Sequence, residues 1–248
     1  MASKSAPNLP VDARDYSASD WLVFGETPEP NTREKLLALT IEEIVKNGPG
    51  GFNVKTVCDR IDAKYALVNY YFKNKELLIA EASALTYRKS VNHYKQVILK
   101  APKDPEKRLR AFLKAEMEWF SRMGSWGLLV SYPIHSEETR NLIEENYGQE
   151  LKTYFEFYLS MVGTMILDVR KGSISKFDFD VTNYPRAALL AHPKVVKDGI
   201  SMIWAVHGLN VWIAGQQMGS NRVSSPKYSH KILIEHHVEQ IVKLAKGI

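Results

Sequence analysis

From Thr32 to Lys246 the apolar residues of this chain recur mostly at three- and four-residue intervals, and nowhere do they alternate in twos for long enough to form a strand. A 3.6-residue period places such residues on one face of a helix, so the pattern restricts the chain to helix packed on helix. With 248 residues, 45% of them hydrophobic, there is enough apolar surface for a substantial core. The expected fold class is therefore all-α.

Breaks in the period mark the elements. Residues 1–30 carry Pro7, Pro10, Pro28 and Pro30 among small polar residues and read as an extension. Leu37, Ile41, Ile44 and Val45 define a first helix that should stop at Asn47-Gly48-Pro49. Asn53 is placed to cap a second, two-turn helix with Val54, Val57, Cys58 and Ile61 on one face. After Asp62-Ala63 comes a third segment, Lys64 to Phe72, with Val68 and Phe72 inward and Tyr65, Asn69 and Tyr70 elsewhere. Asn74 should cap a long helix reaching Lys100, with Leu77, Ala80, Ala84, Tyr87, Val91, Tyr94 and Ile98 recurring at near-heptad spacing, that joins two parts of the molecule. Helices are then expected over 106–123, briefly before Pro133, from Ser136 to Lys171, over 194–218 and over 226–246, with a mixed linker at 173–193.

Charge is unevenly spread. The formal net charge is +5, and residues 31–100 hold twelve Lys/Arg against seven Asp/Glu, so this stretch accounts for all of it. A basic segment beside a neutral one suits a molecule with one end on phosphates. The N-terminus lacks the apolar core of a signal peptide, and the most apolar run, 200–215, is interrupted by His207 and Asn210. A soluble, cytoplasmic protein with no membrane partner is expected. The single cysteine, Cys58, lies on an apolar row and reads as a small buried hydrophobe.

Two short helices joined by a tight turn, with one helix ahead and a long one behind, form a tri-helical unit. The residues there run Thr32-Arg33-Glu34-Lys35-Leu36-Leu37, Gly48 to Phe52, Asn53-Val54-Lys55-Thr56-Val57, and Val68-Asn69-Tyr70-Tyr71-Phe72-Lys73-Asn74-Lys75-Glu76-Leu77-Leu78. Over roughly Thr32 to Leu85 this resembles the TetR family of transcriptional regulators. Asp62 stands where that family commonly has glycine, and Asp tolerates the left-handed backbone better than most residues. Asn69, Tyr70 and Tyr71 also depart from the usual Tyr, Tyr or Trp, then His.

The resemblance implies a DNA-binding domain at 31–85 built on a helix-turn-helix, and a larger ligand-binding and dimerisation domain at 86–248, about nine helices in all. It further implies a ligand-responsive regulator, in the first instance a repressor, that binds double-stranded palindromic operator DNA and is released by a small-molecule effector. Its homodimer would pair the last two helices. An alternative is a protein of the same fold that activates, or senses its ligand without binding DNA.

Side-chain chemistry divides the DNA-binding candidates. Lys64, Tyr65 and Asn69 lie where a recognition helix meets base edges, and an Asn amide pairs in bidentate fashion with adenine. Arg33, Lys55, Thr56, Tyr70, Tyr71, Lys73 and Lys75 suit phosphate oxygens. A solvated surface would explain the lysines equally well, and one of the paired tyrosines is expected to pack inward. In the larger domain Met117, Phe120, Met123, Trp126, Tyr154, Tyr158, Met161 and Trp204 suit the wall of an apolar pocket, with Glu116 and His207 as its polar groups. A plain helical core, with a hydrogen-bonded His207 and a solvent-facing Glu116, is the other reading. Adjacent His236 and His237 diverge by about 100° on a helix, which argues against joint metal ligation. No metal, no cofactor and no catalytic constellation is expected, since phosphate loops, nucleophile elbows and metal-spaced His or Cys are missing.

Overall fold

The structure is a computed structural model that describes residues 30–123, 137–175, 192–217 and 230–247. Among these residues there is helix and no strand, in the order α1 (Thr32–Gly51), α2 (Val54–Asp59), α3 (Tyr65–Phe72), α4 (Lys75–Lys100), α5 (Pro105–Met123), α6 (Glu137–Lys171), α7 (Pro193–Gln217) and α8 (His230–Lys246). The short helix expected before Pro133, the Ser136 cap and most of the linker at 173–193 lie outside the described residues.

Local chemistry sets the helix ends. At α1 the Asn31 side chain accepts from the Glu34 N–H at 3.0 Å while Glu34 accepts from the Asn31 N–H at 2.8 Å, a reciprocal cap. Asn53 accepts from the Lys55 N–H at 2.9 Å, Asn74 from that of Leu77 at 2.7 Å and Asp104 from that of Lys107 at 2.8 Å. Helix α6 ends at Gly172, whose φ of +68° suits a residue without Cβ. One boundary differs from expectation, because α1 continues through Gly48-Pro49-Gly50 to Gly51. Phe52, directly after the extra turn, is buried.

The described residues fall into two compact units. The first takes residues from Met1–Tyr87, Glu118–Gly148 and Val211–Val223. Within it α1 packs on α2 and α2 on α3 around Leu36, Ile41, Ile44, Val57 and Val68, all buried. Cys58 is buried with them, and burial pushes its thiol pKa up. Glu42, 2% exposed, lies in the same core and accepts from Lys46 at 2.6 Å and Arg60 at 2.9 Å. Its burial opposes ionisation, but the two cations outweigh that and hold the carboxyl below its ordinary range.

The second unit comprises Arg88–Met117, Gln149–Asn210 and Ser224–Ile248. Leu109, Phe112, Phe157, Met161, Val206, Val238 and Val242 are buried there. Charged side chains fasten α8 onto its neighbours: Lys246 meets Glu106 at 2.6 Å, and Arg110 bridges Glu106 at 2.7 Å and Glu239 at 2.8 Å. Arg170 donates to the Ala245 carbonyl at 3.0 Å and pairs with Asp198. No described helix is long and apolar enough to cross a membrane.

Candidate functional site

Helix α3 is eight residues long, and the turn before it is closed by Asp62 at φ 51°. Val68 and Phe72, four apart, anchor it to α1 and α2, so the opposite face is turned outward. Tyr70 stands opposite those two anchors and is 78% exposed, Asn69 is exposed on the flank, and Tyr65, in the first turn beyond Lys64, is 50% exposed. Lys73 follows as the C-cap at φ 68°, also exposed, and Lys55 and Thr56 stand free at the start of α2. Tyr71 is half-buried, edge-on to Tyr70 with ring centroids 5.0 Å apart.

Two cations of the set are engaged within the unit. One Arg33 nitrogen donates to both carboxylate oxygens of Glu81 at 2.6 Å, and its guanidinium lies 5.0 Å from the Phe72 ring centroid. Lys75 places its ammonium 5.4 Å from the Phe52 centroid. Arg33 thus ties the start of α1 to α4 and to the last ring of α3, and Lys75 ties the start of α4 to Phe52 just beyond α1, roles with no sign in the local sequence.

The second unit contains a buried polar cluster drawn from α5, α6 and α7. Glu116 is 1% exposed, and the Tyr158 hydroxyl donates to its Oε1 at 2.5 Å. His207 Nε2 lies 3.9 Å from the same oxygen. Burial without a basic side chain pushes the Glu116 pKa up to about 8, against the pull of the Tyr158 hydrogen bond, and burial pushes His207 down to about 4. At neutral pH both groups are uncharged, so the 3.9 Å approach is a polar contact and not an ion pair. Glu116 is not the solvent-facing residue of the alternative reading.

Three rings meet behind this cluster. Tyr94 and Phe112 are edge-to-face at 5.7 Å, and each lies just over 6 Å from Tyr158, at 6.3 and 6.1 Å. Tyr94 and Phe112 read as ordinary core from the sequence, because their apolar rows do not reveal which polar tip they surround. Of the other pocket candidates, Met117 and Met161 are buried in this unit, and Tyr154 is half-buried. Trp204 is 58% exposed, its ring edge-on to His207 at 6.3 Å. Phe120 and Met123 are buried in the first unit, and Trp126 lies outside the described residues. A separate open groove of about 280 Å³ runs between α6 and α7, lined by Phe155, Leu159, Gly163, Val195, Gly199 and Ile200. Among the described residues no three His, Cys, Asp or Glu side chains gather as they would around a metal ion.

No family profile matches this chain, and no curated protein does. Among solved structures it is similar to a protein of unknown function from Rhodococcus sp. RHA1, at 11% sequence identity and a TM-score of 0.56, over 90% of this chain and 98% of that one. At such identity the likeness is one of fold.

Proposed function

We propose that this chain is a ligand-responsive transcriptional regulator of the TetR type, acting as a repressor. It would bind palindromic operator DNA as a homodimer through the α2–turn–α3 pair and let go when a small apolar or aromatic effector enters the second unit. The observation that carries this reading is the exposed surface of α3, where Asn69 and Tyr70 project away from the buried anchors and Lys64, Tyr65 and Lys73 are exposed at its two ends. A short helix held by its apolar side and bare on its polar side has the form of a helix that enters a major groove. The basic excess of residues 31–100 supports it electrostatically.

Within this reading Lys64, Tyr65 and Asn69 read base edges, while Lys55, Thr56, Tyr70, Tyr71 and Lys73 hold phosphates. Arg33 and Lys75, engaged by Glu81 and by the Phe52 ring, contribute less than an unengaged side chain would. Pairing of two copies through α7 and α8 is supported by Ile200, Trp204, Ile232 and Leu244, which leave apolar surface exposed on those helices. Gly208 has open space where a Cβ would stand, room that a second copy's helix could use. Effector and operator must weaken each other's binding by the same factor.

The test is selection of duplexes from a random library, followed by titration of the selected site against salt. Two phosphate-holding lysines, Lys55 and Lys73, from each of two copies should give a slope of log affinity on log salt of about −4. A flat response, or no duplex bound at low salt, would sink the reading. Asn69→Ala should relax preference at one position per half-site at about 1–3 kcal/mol, whereas Lys73→Ala should weaken all sequences alike. Because alanine and lysine strain equally at positive φ, the Lys73 variant should unfold at the wild-type midpoint, so its loss reads charge alone. A protein of this fold that senses its ligand without DNA is the second reading, favoured by the closure of Arg33 onto Glu81; selection returning no motif, together with measured ligand binding, would favour it over the first.

A further inference from the structure

The carboxyl of Glu116 is fully buried and only half satisfied. Oε1 accepts from Tyr158, but Oε2 has no hydrogen-bond partner among the described residues. Leaving such an atom open costs about 1–3 kcal/mol, a penalty that a chain removes by filling the position or retains because something else fills it. The titratable groups that face this carboxyl are Tyr158 from α6 and His207 from α7, with Tyr94 of α4 behind the Tyr158 ring. None brings a positive charge at neutral pH, and a buried carboxyl without a counter-charge keeps its proton. With Tyr158 already donating to Oε1, that proton belongs on Oε2. The open position is therefore a donor that lacks an acceptor.

The surroundings narrow the occupant further. Tyr94, Phe112 and Tyr158 offer apolar ring surface, and His207, between buried Glu116 and exposed Trp204, marks the side from which the cluster approaches solvent. An ammonium ion would have to strip the proton from Glu116 and lose its own hydration. A carboxylate would bury a second acid beside the first. We propose that Glu116 donates a hydrogen bond through Oε2 to the carbonyl or ether oxygen of an uncharged, largely apolar ligand. This rests on the effector-binding reading above and gives the effector its chemical class.

The test uses the full chain without DNA and three probes of one skeleton: benzylacetone, its primary amine analogue and hydrocinnamate, each titrated by calorimetry at pH 7. Benzylacetone should bind at least about tenfold more tightly than either ion. Glu116→Gln, whose amide still donates, should hold benzylacetone within about threefold, and Glu116→Leu should lose about tenfold or more. In the wild type, affinity for the ketone should fall as pH rises past about 8, and in Glu116→Gln it should not. Binding of the amine as tight as that of the ketone, unchanged ketone affinity in Glu116→Leu, or no ketone binding at about 10 mM would each overturn the proposal. Should Glu116→Leu fail to fold, the pH comparison between wild type and Glu116→Gln decides alone. Failure to bind duplex DNA would sink the regulator reading and leave this result standing, and operator binding without ketone binding would do the reverse.

Discussion

At pH 8 the Glu116→Gln variant is expected to be more stable than the wild type by on the order of 4 kcal/mol, with the gap closing as pH falls towards 4.5. The folded carboxyl has a pKa of about 8 against 4.5 in the unfolded chain, so between those values the folded state holds the extra proton. Its contribution is fully present below 4.5 and is lost as pH rises through 8. His207 works in the opposite sense: folding lowers its pKa from 6.5 to about 4, so the unfolded chain binds more protons in that window and stability rises with pH across it. Between 4.5 and 6.5 the two slopes cancel, and above 6.5 the glutamate acts alone. From this pair, wild-type stability should be level over the first interval and decline over the second. Glutamine keeps an acceptor for Tyr158 and does not titrate, so its curve should rise to 6.5 and then stay flat. Urea unfolding at half-unit pH steps measures both curves, and parallel curves would remove Glu116 as the titrating group.

The second large effect concerns the first unit. Lys46→Ala with Arg60→Ala should destabilise it by about 3–5 kcal/mol, the cost of stranding a buried charge. Glu42 is 2% exposed whereas its partners are each more than a third exposed, so the two sides of the cluster are not equivalent. Removing Glu42 leaves cations that water can solvate, and screened pairs of that kind are worth little in themselves. Removing both cations leaves a buried carboxyl that at pH 7 must either stay charged without a partner or take up a proton, and both cost free energy. Glu42→Gln in the double variant should therefore recover much of the loss. Because folding lowers the Glu42 pKa, the cluster's support is present above 4.5 and disappears as pH falls through the lowered value. Thermal unfolding of the double and triple variants at pH 7 checks the ranking; equal midpoints would show that Glu42 is not the stranded charge.

Features decided within one turn of helix were legible in the sequence. Asn53 and Asn74 cap α2 and α4 because an Asx side chain reaches an N–H two or three residues ahead, whatever the rest of the chain does. The inner faces of α4 and α5 follow the same local logic: Ala80, Val91, Ile98, Leu109 and Phe112 are buried. Pairings between distant segments were not legible. Nothing near Arg33 announces Glu81, 48 residues away, and nothing near Glu116 announces Tyr158, 42 residues on. For the same reason the sequence left Glu116 open between solvent and core, since its position at the margin of an apolar row allows either. Aromatic content misleads in its own way, because Trp204 lies on an apolar helix yet is mostly exposed.

Cys58 carries one further consequence. It is the only cysteine in the chain, it is buried in the first unit, and burial keeps its thiol in the unreactive protonated form. An alkylating reagent can reach it only during excursions in which the α1–α3 core opens. The molecule thus contains its own clock for such openings: the labelling rate in native buffer, divided by that of an unfolded thiol, is the equilibrium constant for exposing the core. Partner-induced ordering of the tri-helical unit would register as slower labelling at this single atom.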